Sequence, residues 1–164
     1  MIPSTARLID IARLGLDREA ERRYLQDIVN AVAVRLDTPF VVIDVLLDRA
    51  QVFLAGSGPV PDFIAEAGGT PVEWSFCLPL LGNPRAFTVP DLTADPASQR
   101  NPLVTVAGVR SYAGAPMISH RGHVLGGICG LDVRPRDFPA AELNFLQDAA
   151  HEVVERLEDR AGPE

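Results

Sequence analysis

Leu143, Leu146, Ala150, Val153 and Leu157 fall at steps of 3, 4, 3 and 4 near one end of the chain. Side chains so spaced line one face of an α-helix, so this stripe must be covered by another element. The spacing predicts a helix from about Pro139 to Arg160, with proline at its first turn and Asp137 as its cap. A second stripe, Leu25, Ile28, Val32 and Leu36, predicts a helix over Asp17 to Leu36, stopped by Thr38-Pro39. Thr5 to Leu14 reads as a further short helix or an N-terminal extension, broken at Gly15.

Between the helices the period shortens. Phe40 to Leu47 is β-branched and apolar, and with Gln51 to Gly56 it reads as a hairpin through Asp48-Arg49-Ala50. Residues 57–73 are rich in Gly and Pro and are expected to form a loop long enough to be functional or mobile. Trp74 to Leu81 reads as a short helix carrying Phe76 and Cys77, and Ala86 to Val89 as a short strand ended by Pro90-Asp91. A polar crossing to Asn101-Pro102 follows. Ser111 to Ile118 and Val124 to Asp132 are then two strands joined by a turn, Ser119 to His123, that contains Gly122. The order is that of an α+β domain with an antiparallel sheet and terminal helices on one face. The expected organisation is an extension or short helix over 1–16, a single domain over 17–160 and a tail over 161–164. At 164 residues one such core is sufficient, without disulfides or a structural metal.

Charge and cysteine usage remove several function classes. The net charge is −7, from 22 acidic against 15 basic residues. The arginines are spread along the chain with no cluster larger than Arg22-Arg23, so no nucleic-acid partner is expected. Every one of those basic residues is Arg, which leaves no lysine for Schiff-base or Walker-type phosphate chemistry. Cys77 and Cys129 lie in no CxxC pair, and with three scattered histidines they suggest no metal site. No apolar run is long enough for a membrane span and the N-terminus shows no secretory signal, so a cytoplasmic location without membrane contact is expected. No G-x-S-x-G or G-x-G-x-x-G motif is present.

Ser75-Phe76-Cys77, Val89-Pro90-Asp91, Asp95-Pro96 and Asn101-Pro102-Leu103-Val104 follow one another in a distinctive order. Tyr112-Ala113-Gly114-Ala115-Pro116, Leu125-Gly126-Gly127-Ile128-Cys129-Gly130-Leu131-Asp132 and Arg134-Pro135-Arg136 complete it. Together these motifs resemble a GAF domain, in the variety found as a sensory module of bacterial histidine kinases and diguanylate cyclases. The resemblance covers roughly residues 20–158. It implies a central antiparallel sheet of five or six strands, terminal helices on one face and a small-molecule pocket on the other, roofed by the irregular middle of the chain.

On that basis the candidate ligand-binding residues are Phe53, Trp74, Phe76, Cys77, Phe87, Asp91 and Tyr112. Each also has a plainer reading. The phenylalanines can be core, Asp91 can cap the turn after its proline, and a buried Tyr112 hydroxyl needs some partner, of which a ligand is one. Gly114, Gly126, Gly127 and Gly130 on strands suggest close backbone approach.

The family's specialised branches leave further expectations. Tetrapyrrole-binding members attach the pigment to a cysteine commonly followed by histidine, whereas Cys77 precedes Leu78 and Cys129 precedes Gly130. Haem needs an axial histidine on the pocket side, but His120 and His123 fall in a hairpin turn and His151 on the last helix. The reductase branch acts on free methionine-R-sulfoxide through an attacking and a resolving cysteine. Cys77 falls near the resolving position, but the stretch from Ala97 to Asn101, where the attacking cysteine belongs, has none. No catalytic residue, cofactor or metal is therefore expected. The resemblance implies a stand-alone sensory domain that binds an unidentified small molecule. The 3-4 seam from Leu143 to Leu157, with a second amphipathic helix at the other end of the chain, also suits a dimer bundle. A homodimer through the terminal helices is therefore expected, with a signalling partner protein as a further target. The alternatives are a small thiol-dependent enzyme of the reductase type and an interaction module without a ligand.

Overall fold

The computed structural model describes residues 5–15, 19–58 and 68–162. The expected helix start at Asp17, most of the Gly- and Pro-rich stretch 57–73 and the last two residues of the tail lie outside them.

Helices α1 (Thr5–Leu14) and α2 (Glu19–Leu36) precede a hairpin of β1 (Phe40–Leu46) and β2 (Ala50–Ser57). After β3 (Gly69–Pro71) comes a 3-10 turn, Val72–Trp74, then α3 (Pro79–Gly82), β4 (Phe87–Val89) and α4 (Pro102–Thr105). The long hairpin β5 (Ser111–Ile118) and β6 (Val124–Asp132) leads into α5 (Ala140–Ala161). The six strands form one sheet in the order β3-β2-β1-β6-β5-β4, and every pairing is antiparallel. Among the described residues no helix is long and apolar enough to cross a membrane.

The stripes of α2 and α5 are both consumed by one core. Leu25, Val29, Val32 and Leu36 of α2, and Leu146, Ala150, Val153 and Leu157 of α5, are buried with Val41, Ile43, Ala113, Ala115 and Met117 of the sheet. Each Leu, Ile, Val or Met side chain so buried stabilises the fold by about 1.5–3 kcal/mol, and each alanine by less. The 3-4 spacing in α5 is therefore satisfied within the domain. A homodimer that used the same seam would have to open this core.

Two local expectations are corrected. Asp137 does not cap α5; Pro139 holds the cap position without a side-chain bond. Asp137 stands two residues further out, beyond reach of the first-turn amides. Residues 74–81 are not one helix, because Pro79 has no amide to continue a turn and instead starts α3. Phe76 and Cys77 consequently sit in the bend between two helical turns.

Two bulges set the side-chain faces. Ile43 pairs with Ala55 but Asp44 with Phe53, leaving Leu54 as the extra residue of β2. Met117 pairs with Gly126 but Ile118 with Val124, leaving Leu125 as the extra residue of β6. Each bulge reverses the alternation beyond it. The 3-10 turn, α3, α4 and their connections lie over the sheet face opposite the helices, with Leu80, Leu92, Val104 and Val109 in a second buried cluster.

Candidate functional site

Alternation on β1 sends Val41, Ile43 and Val45 towards the helices, and Phe40, Val42 and Asp44 to the other face. On that face the sheet and its roof border a half-open cavity of about 670 Å³. Val42, Phe53, Cys129 and Leu131 line it from the strands, and Phe76, Cys77, Leu103 and Val109 from the roof. The exposed residues Arg22, Gly56 and Gly68 also border it and mark its rim.

A buried polar cluster adjoins the cavity through Cys77. The Asp44 carboxylate accepts the Gly127 amide at 2.8 Å and the Ser75 hydroxyl at 3.4 Å. Ser75 Oγ in turn accepts the Cys77 amide at 3.0 Å, which fixes the bend carrying Phe76 and Cys77. Burial pushes the Asp44 carboxyl up to about 6, although bonds from the Gly127 amide and the Cys77 and Ser75 side chains pull the other way. The Cys77 thiol is pushed well above its ordinary value, first by the neighbouring Cys129 thiol and then by burial. It is neutral near pH 7. Its sulfur lies 3.2 Å from Tyr112 Oη.

Glycine makes this cluster possible at two strand positions. A Cβ at Gly127 would stand 2.9 Å from Cys77 Sγ and 3.1 Å from Leu80, and a Cβ at Gly114 would occupy the place of the Tyr112 phenol. The Tyr112 ring lies flat along its own strand, packed by Phe87 at 5.0 Å and Phe76 at 5.9 Å between centroids.

Of the seven residues expected to bind a ligand, Phe53, Phe76 and Cys77 line the cavity. The other four are placed elsewhere. Tyr112 is fully buried and meets Cys77 instead of open space. Phe87, on the edge strand β4, packs on Tyr112 from the side away from the cavity wall formed by β1 and β2. Trp74 uses its carbonyl to accept the Asn101 side-chain amide at 3.0 Å, tying the 3-10 turn to the start of α4. Asp91 binds the Thr93 hydroxyl at 2.6 Å and amide at 3.0 Å, which hold its carboxyl below the ordinary value. Arg22, Gln51, Cys129 and Leu131 are not among the seven expected ligand-binding residues. The period of two on β1 and β6 carried a signal for the last two, but Arg22 reaches the rim from a helix on the opposite face. Among the described residues no group of three or more His, Cys, Asp or Glu side chains could hold a metal ion.

The GAF domain family matches residues 20–157 of the chain. A cyclic di-GMP phosphodiesterase of Pseudomonas aeruginosa is 32% identical over 150 residues, which cover 90% of this chain and 24% of that protein. The chain thus spans about a quarter of the length of this curated relative. Among solved structures, the GAF domain of an Acinetobacter phosphoenolpyruvate-protein phosphotransferase superposes with a TM-score of 0.66 at 17% identity, covering 94% of each chain. A type II free methionine-R-sulfoxide reductase from Thermoplasma acidophilum superposes with a TM-score of 0.69 at 14% identity, covering 86% of this chain and 94% of that one. At such identities these two likenesses concern the fold alone.

Proposed function

The chain belongs to the GAF domain family, and from that premise we propose that it is a regulatory domain that senses a small molecule in the cavity beneath its roof. The observation that carries this reading is the cavity itself, about 670 Å³ between the sheet and the segment 72–109. A volume of that size, mostly apolar with a few polar groups, suits a small organic ligand. Output follows from the two-sidedness of the sheet. β1 and β6 carry Val42 and Cys129 towards the cavity and Val41, Ile43 and Ile128 into the core beneath α2 and α5. A ligand that prefers one strand arrangement shifts the helices by its differential affinity for the two.

The relative's phosphodiesterase name belongs to a protein of which this chain resembles one quarter. We assign the chain a signalling role in such a system, and no hydrolysis. The reductase alternative is weakened by Cys77, whose thiol is held neutral by Cys129 and burial where a nucleophile needs a thiolate. A cytoplasmic location is part of the same reading and fits two free cysteines. Homodimerisation or docking on a partner protein would use the outward faces of the terminal helices, where Ile9 and Val34 are exposed.

Native mass spectrometry of the purified protein, followed by the same sample denatured, tests the sensor reading. A small adduct lost on denaturation is the expected result. No adduct, with no rise in melting temperature across a metabolite panel, would overturn it.

A further inference from the structure

The cavity lining narrows the chemistry of what it can hold. Arg22 is the only charged residue in the described lining, which holds no carboxylate. Its guanidinium makes no ion pair or hydrogen bond within the described residues, so it is available at the rim. Asp44, outside that lining, is 1% exposed and already occupied by Gly127 and Ser75. A cationic ligand would therefore lose its hydration and find no counter-charge among the described lining residues. A nucleoside polyphosphate or a cyclic dinucleotide would bring two or more negative charges to one guanidinium, in a chain with no lysine.

The remaining lining describes the body of the ligand. Phe40, Phe53 and Phe76 present three rings to the cavity. Gln51 is 4% exposed, and its amide nitrogen is taken by Thr70 Oγ1 at 2.7 Å. Its amide oxygen is left as an acceptor for one N–H or O–H. Resting on the reading that this cavity takes a small molecule, we infer that the ligand is a monoanionic aromatic compound. Its rings lie against the three phenylalanines, its single anionic group meets Arg22 at the rim, and a hydrogen-bond donor on its body faces Gln51. Aromatic packing supplies affinity, and the planar guanidinium supplies the preference for an oxyanion.

Two fluorescent probes of one skeleton test this. 8-Anilino-1-naphthalenesulfonate carries a single negative charge, and N-phenyl-1-naphthylamine is the same ring system without it. Titrated against the full chain, the sulfonate is expected to bind at one site about tenfold more tightly than the neutral amine, a gap of about 1.4 kcal/mol. Arg22→Gln, an exposed helix substitution, should erase that gap and leave the amine unchanged. Leu103→Trp, which fills the cavity from α4, should weaken both probes. Far- and near-UV circular dichroism verifies that each variant is native, because the sulfonate dye also binds loosened states. Equal binding of the two probes, or a gap that survives Arg22→Gln, overturns the monoanion and leaves the sensor reading standing. If neither probe binds, the adduct mass decides. A neutral or cationic species overturns the monoanion alone, and an aromatic monoanion supports it. The absence of any adduct, with no rise in melting temperature across a metabolite panel, overturns both readings.

Discussion

At the scale of single residues, the buried polar cluster beside the cavity is governed by Asp44. Its carboxyl titrates near 6 in the folded protein against an ordinary value of 3.8, because burial disfavours the charged form. The folded state binds the extra proton between those values. The resulting stability is complete below pH 3.8 and is lost as pH rises through 6, about 3 kcal/mol in all. Asp10 and Glu158, held below their ordinary values, act in the opposite direction as pH falls. Asp44→Asn isolates the one group. Its stability relative to the parent should rise by up to about 3 kcal/mol from pH 4 to pH 7.5 in urea denaturation, and a difference independent of pH would refute the assignment. The thiols make a second prediction. With Cys77 neutral and both cysteines buried, labelling by an aromatic disulfide at pH 7 should be on the order of a hundredfold slower in the folded than in the urea-unfolded protein. A fast folded-state thiol would restore the enzymatic reading. The residue types in this cluster were legible, and so was the need of Tyr112 for a partner. What was not legible is that the partner is Cys77, 35 positions away, since local spacing carries no information on which strand and bend meet.

At the scale of elements, α1 is fixed by polar anchors more than by apolar area. The Arg7 guanidinium donates to the Leu46 carbonyl at 2.6 Å and the Val124 carbonyl at 3.2 Å, joining the ends of β1 and β6. Asp10, fully buried, accepts the Ser119 hydroxyl and His123 Nδ1, and pairs with Arg13, which also reaches Glu158 of α5 at 2.8 Å. Burial pushes the Asp10 carboxyl up, but Ser119, His123 and Arg13 outweigh it and hold it low. One carboxylate thus ties α1 to the β5–β6 turn, and Arg13 extends the link to α5. Asp10→Ala removes the common acceptor and should cost about 3 kcal/mol. Amide exchange should accelerate in α1 and the 119–123 turn well before it does in β1 or β6. Uniform acceleration would mean that α1 is not a separately anchored unit. Helices and strands were readable here from their periods, and the hairpin turn from Gly122. The bulges at Leu54 and Leu125 were not, because an extra residue leaves the composition of a strand unchanged while reversing its faces. That reversal pairs Phe53 with Asp44, on the cavity face, and Ala55 with Ile43, whose side chain is in the core beneath the helices.

For the whole molecule, the issue is which surface is left to carry a signal. A 3-4 stripe states that a helix must be covered without stating by what, and in α5 the cover is the domain's own β5 and α2. Leu146→Ala should therefore act on folding, lowering stability by about 2–5 kcal/mol through lost burial and a cavity. Any self-association must instead run through outward residues, and on α2 the apolar candidate is Val34, 83% exposed beside the stripe that faces inward. If the domain dimerises through its terminal helices, a buried charge at that position is tolerated by the monomer and not by the interface. Val34→Glu is then expected to raise the dimer dissociation constant at least tenfold in sedimentation equilibrium. The monomer's denaturation midpoint should barely move, since exposed substitutions commonly stay within about 0.5 kcal/mol. Dissociation caused by Leu146→Ala in a still-folded chain, with Val34→Glu silent, would place the interface on the buried seam and require α5 to leave its own sheet. A parent that sediments as a monomer at every concentration would assign the outward helical face to a different protein and leave the cavity to report through it.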